Sequence, residues 1–140
     1  MNWFYYSLLS AFFAALTAIF AKIGLEGINS DFATLIRTVF IVLIMAIWVK
    51  FLGAWQGLES LSLRQWLFLF LSACATGFSW LFYFKALQLG QASQVAPIDK
   101  FSVVLVAIFG VLFLGERLNL RQIVAITLIF MGIILMAWEK

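Results

Sequence analysis

The chain has 140 residues, 66% of them hydrophobic and 11% charged, with a net charge of +3 and a mean hydropathy of +1.12. A soluble domain is typically ~45–50% apolar and ~25% charged, so a water-soluble fold of this length is excluded. With no histidine and one cysteine, Cys74, there is no metal-ligand cluster and no disulfide framework; the Lys/Arg residues are scattered singly, without the basic run that grips nucleic acid.

At roughly 20 residues per membrane helix, the length accommodates five helices with short connections and no module outside the bilayer. The expected fold is an all-α integral membrane protein, one domain over residues 1–140. Helix 1 is expected at 3–21: the stretch from Trp3 to Ala21 is uncharged, and Lys22 closes it at an interface. No Lys or Arg precedes it and another apolar segment follows at once, so it reads as a retained helix and not a signal peptide. Ser7, Ala11, Ala14, Ala18 and Ala21 recur every three or four residues, a small-residue stripe that lets helix backbones approach in lipid. Phe12, Phe13, Leu16 and Phe20 are then left to face lipid.

Gly24 and Gly27 break the pattern, Asn29 and Ser30 offer N-caps, and helix 2 is expected at 32–49, ending at Lys50. Its single charge, Arg37, lies about one and a half turns in. From that depth an arginine either snorkels to the headgroups or faces a bundle interior or wet cavity, since charge at bilayer depth is costly. The longest polar stretch, Gly53 to Arg64, precedes helix 3 at 65–84, with Trp66 placed as an interface anchor. Ser72, Thr76, Ser79 and Tyr83 put four hydroxyls on one stripe of that helix, which suits either interhelical hydrogen bonding or a cavity wall.

Lys85 and Gly90 mark the next turn, and helix 4 is expected at 92–114 with Asp99 and Lys100 just after Pro97. Two arrangements are open. If the helix starts at Pro97, Asp99 belongs to its first turn, at the favourable end of the dipole. If it starts near Ala92, Pro97 kinks it and frees backbone groups beside two charges, as transporters do when they build binding sites. Gly115 suits a C-terminal cap, and Asn119 with Gln122 resembles a capping box opening helix 5 at 120–138, with Glu139 and Lys140 in water. No internal repeat is visible.

The order of several weak motifs then carries a resemblance. The run from Lys22 to Gly27, Arg37 in the second helix, YFKALQLGQAS at Tyr83 to Ser93 and LGERL at Leu114 to Leu118 together resemble the EamA-like domain of the drug/metabolite transporter superfamily. VAPIDKFSVV at Val95 to Val104 is similar, more narrowly, to the short five-helix bacterial type. Many EamA repeats place a proline mid-way in this helix, about where Val103 stands; here Pro97 comes earlier.

The resemblance implies transport of small metabolites or drugs across the bacterial cytoplasmic membrane, generally by two inverted five-helix halves around a cavity. This chain would supply one half, and a second copy the other. With the N-terminus inside, Lys50, Arg64, Arg117 and Arg121 lie on the inner side against Lys22, Lys85 and Lys140 outside, four to three, which leaves orientation weakly specified and permits dual topology.

The small-multidrug-resistance type depends on a glutamate in its first helix, and here that helix has no acidic residue, so Asp99 is the only substitute. Arg37 and Lys100 against Asp99 favour a solute with an anionic or zwitterionic part. The expected cavity residues are Arg37, Asp99, Lys100, Ser72, Thr76, Ser79 and Tyr83. No cofactor is implied and no enzymatic nucleophile and base stand out. The expected partners are the bilayer, a small solute and a second copy of the chain. A small membrane subunit that transports nothing is the competing class.

Overall fold

The structure, a computed structural model, describes residues 2–138, so the placement of Glu139 and Lys140 in water falls outside the described residues. Helices α1 (Trp3–Gly24), α2 (Ser30–Phe51) and α3 (Leu63–Leu89) are followed by α4 (Ala92–Asp99), α5 (Phe101–Leu114) and α6 (Leu120–Trp138). Counting α4 and α5 as one interrupted segment, Ala92–Leu114, five helical segments among the described residues are long and apolar enough to cross a membrane. At 1.5 Å per residue, the 22 residues of α1 reach ~33 Å, enough for a ~30 Å hydrocarbon core.

Local chemistry sets the helix ends. The Asn29 side chain accepts from the Asp31 and Phe32 N–H groups at 2.8 and 3.2 Å, so α2 starts at Ser30, two residues before the apolar run. Ser62 and Gln65 form a reciprocal cap: the Gln65 amide oxygen accepts from the Ser62 N–H at 2.8 Å, and the Ser62 hydroxyl from the Gln65 N–H at 3.3 Å. That cap starts α3 at Leu63, and the helix runs through Lys85 to Leu89, five residues beyond the expected end. The expected Asn119–Gln122 box is present, with both bonds at 2.9 Å.

Helix 4 takes the arrangement that begins at Ala92 with Pro97 inside it. The break falls at Lys100, whose N–H donates to the Pro97 carbonyl at 3.0 Å, while the Val103 N–H donates to the Lys100 carbonyl at 2.9 Å. These tighter i to i−3 bonds mark the interruption just downstream of a residue that has no N–H to give.

The chain divides into two compact units, one ending at Leu89 and the other starting at Gly90. In the first, α3 packs against both α1 and α2. Its core is small, comprising Ala18, Leu25, Phe84 and Leu87, with Ser30 and Thr34 also buried. Large apolar side chains such as Phe51, Leu63 and Phe82 are more than 70% exposed, as suits a surface set in lipid. In the second unit α6 packs against α4 and α5, with the Phe101 and Phe130 rings 5.9 Å apart and Ile133 buried.

Gly115 closes α5 in the left-handed region (φ 69°), and the Glu116 N–H then donates to the Gly110 carbonyl at 3.1 Å. The Glu116 side chain folds over Gly110 as well: a Cβ there would stand 2.6 Å from the carboxylate Oε2. Because that obstacle is the tip of a flexible side chain, Gly110→Ala is expected to leave stability unchanged or raise it by about 0.5–1 kcal/mol, the helical advantage of alanine. Reversible unfolding in mixed micelles measures it. A loss above ~1 kcal/mol would show that Glu116 is held in place.

Candidate functional site

A cavity of about 420 Å³ opens between α1 and α2 in the first unit. Thr17, Phe20, Ala21 and Gly24 line it from α1, Ile28 from the connection, Ala33, Arg37, Ile41 and Ile44 from α2, and Phe84 from α3. Small residues make the room. Gly24, Ala21 and Ala33 stand where larger side chains would close the gap, and Ala18 lies buried one turn from Ala21.

Arg37 is the only charged residue in this lining. Its guanidinium carbon lies 4.3 Å from the centre of the Trp80 ring and 5.2 Å from that of Phe84, both on the packed side of α3. Ring faces attract the cation but accept no N–H in the manner of an oxygen. The Nη1 atom of Arg37 is buried and has no hydrogen-bond partner among the described residues. Among the described residues no carboxylate lies within ion-pair distance of it, and the ion pair formed among them joins Asp99 and Lys100, 3.6 Å apart. Tyr83 stands within electrostatic reach of the guanidinium.

Thr17 is the one other polar liner, and its hydroxyl already donates to the Phe13 carbonyl at 2.9 Å. On α2, Thr34 and Thr38 likewise donate to the Ser30 and Thr34 carbonyls, at 2.8 and 2.7 Å. These back-bonded hydroxyls flank the turn that carries Arg37, and their donors are consumed within the helix.

Two ties close the end of this unit. Lys22 Nζ donates to the Leu87 carbonyl at 2.6 Å, and the Gln88 amide donates to the Ile28 carbonyl at 2.8 Å. Lys22 therefore caps the carboxy-terminal end of α3, whose last carbonyls have no partner within the helix. A second cavity, of about 320 Å³, lies between α5 and α6, and Thr127 is its single polar liner. It contains no charge.

Of the residues expected at a cavity, Arg37 lines one and Tyr83 is its neighbour. Ser72, Thr76 and Ser79 are exposed, because α3 turns Cys74, Gly77, Leu81, Phe84 and Leu87 inward instead. Asp99 and Lys100 pair with each other at the α4–α5 break, at 36% and 55% side-chain exposure. Trp80 and Phe84 were not among the expected residues; their spacing of four from each other, on the helix after Arg37, is the only sequence signal they carry. On α1, Ala18 and Ala21 are covered or half covered, whereas Ser7, Ala11 and Ala14 stay exposed.

Five helical segments of membrane-spanning length and composition among the described residues define the class, a polytopic membrane protein. Residues 1–138 match the EamA-like transporter family, and the chain belongs to it. It is 57% identical over 136 residues to a protein of Sinorhizobium sp described as "Uncharacterized transporter in cobO 3'region", a match that covers 97% of this chain and 96% of that one. No solved structure matches the chain.

Proposed function

We propose that the chain, acting as a single domain over residues 1–140, carries a small metabolite or drug-like solute across the bacterial cytoplasmic membrane. It does so by alternating access, with a second copy inserted in the opposite sense. The observation that carries this reading is the cavity between α1 and α2, whose volume of about 420 Å³ falls within the ~300–1,000 Å³ usual for small-molecule sites. Arg37 is its charged liner, with Tyr83 beside the guanidinium. Asp99 and Lys100, at a helix interruption of the kind that lines transport paths, serve as gating or coupling groups.

Support for the second copy comes from two faces left open on the first unit: Ser7, Ala11 and Ala14 on α1, and Ser72, Thr76 and Ser79 on α3. Small and hydroxyl-bearing faces suit helix association in lipid, where apolar bulk drives nothing. The near-even distribution of Lys and Arg supports both orientations.

Liposomes holding the purified protein and loaded with amino acids, carboxylates, nucleosides and aromatic amines test the reading. At least one solute should leave at least tenfold faster than from protein-free liposomes, and mass spectrometry identifies it. Alkaline phosphatase and fluorescent-protein fusions after Lys140 should be active in comparable amounts. Retention of every solute by inserted protein defeats the transporter; activity from one reporter alone defeats the antiparallel pair.

A further inference from the structure

We propose that the cavity between α1 and α2 is a binding site for a monovalent organic anion, a carboxylate on an apolar body, with Arg37 as its anchor. The inference rests on the transporter reading for its purpose but not for its test. Three observations meet at this place. The first is the cavity itself, whose volume of about 420 Å³ is that of a small-molecule site. The second is that Arg37 in its wall has no carboxylate within ion-pair distance among the described residues, and one of its terminal nitrogens is buried without a partner. The third is that every other liner is apolar or, in the case of Thr17, already hydrogen-bonded to its own helix.

An unpaired guanidinium at membrane depth is costly, and ring faces offset that cost only in part. Trp80 and Phe84 lie with their ring centres 4.3 and 5.2 Å from its guanidinium carbon and give its N–H groups no oxygen. A carboxylate supplies two oxygens to those N–H groups and cancels one charge.

The charge count then selects among ligands. One cation in an apolar wall neutralises one anion, so a phosphate dianion would bring an uncompensated charge into the cavity. A zwitterion would bring an ammonium to a lining that contains no carboxylate. A neutral amide of the same shape would leave the guanidinium charge unbalanced. The second cavity, between α5 and α6, lacks a charge and gives none of this selection.

Equilibrium dialysis of radiolabelled phenylacetate against the protein in nanodiscs tests the site without any flux measurement. Saturable binding is expected, displaced by unlabelled phenylacetate but not by phenylacetamide, 2-phenylethylammonium or phenylalanine. Arg37→Gln should weaken it by about 10- to 100-fold, the range for losing a charged hydrogen-bond partner, and Arg37→Lys, which keeps the charge without the fork, should fall between. Laurate competition distinguishes the source: displacement by laurate at lower concentration than by phenylacetate marks an acid drawn from the bilayer, and the reverse marks a water-borne solute.

Absence of saturable binding, displacement by the amide or the ammonium, or full binding by Arg37→Gln overturns the proposal. Should Arg37→Gln fail to insert, the competition pattern of the unaltered protein decides alone. Phenylacetate binding without any solute movement in liposomes keeps the anion site and removes the transporter, whereas movement of neutral or cationic solutes without phenylacetate binding does the opposite.

Discussion

Ala33→Phe is expected to lower solute movement in liposomes at least tenfold while leaving the protein folded. Ala33 is half-buried and faces the cavity between α1 and α2, so a phenyl ring at that position enters empty space and not packed neighbours. Overpacking a filled core costs about 1–3 kcal/mol; here the existing cavity receives the added atoms, and the unfolding free energy should change by less than ~1 kcal/mol. Val42→Phe provides the control. Val42 is 61% exposed on the same helix, and a larger apolar side chain there meets lipid without touching the cavity. Equal activity of the two variants would show that the solute does not pass through this cavity.

Leu87→Ala is expected to have the largest effect on stability. Leu87 is completely buried, near the end of α3, where that helix meets the end of α1. Truncation leaves a void whose lining loses dispersion contacts on one side, and a leucine removed from a well-packed site costs about 2–5 kcal/mol. The backbone carbonyl that receives Lys22 is unchanged by the substitution, so the loss reports packing and not the hydrogen bond. Two residues on, Leu89 is 82% exposed, and Leu89→Ala should stay within ~0.5 kcal/mol. Denaturation in mixed detergent micelles compares the pair. A similar cost at both positions would contradict the packing described for α3.

The spans were legible because hydrocarbon imposes a length and forbids charge: Lys22, Lys50 and Arg64 bracket apolar runs that no aqueous fold would repeat. What hydropathy does not report is a cap made by polar side chains outside the run, and so the Ser62–Gln65 cap moved the start of α3. Nor does it report a lysine carried inside a helix, as Lys85 is, four residues before the end of α3. Arg37 stood out from the sequence because it is the single charge in its segment. Trp80 and Phe84 did not, since an aromatic ring in a membrane helix reads the same whether it faces lipid or a guanidinium.

The hydroxyl stripe of α3 shows the same ambiguity from the other side. Periodicity places Ser72, Thr76 and Ser79 on one face but does not say which face turns inward, and the structure turns the stripe of Cys74, Gly77, Leu81 and Phe84 toward α1 and α2. For helix 4, both starting points satisfied the length of a membrane span, so the location of the break depended on backbone hydrogen bonds near Pro97 that residue types alone do not specify.

The tie from Lys22 to the Leu87 carbonyl also orders events during synthesis. The lysine is made 65 residues before the leucine whose carbonyl receives it. Until the ribosome has delivered the end of α3, the ammonium at the end of α1 has headgroups and water for company, and the first two helices wait in the bilayer as an unlatched hairpin. Completion of the third helix replaces that hydration with a protein carbonyl and fixes the ends of α1 and α3 together. A nascent chain arrested before Leu87 should therefore expose Lys22 to amine-reactive labelling, and one released after it should protect the same residue.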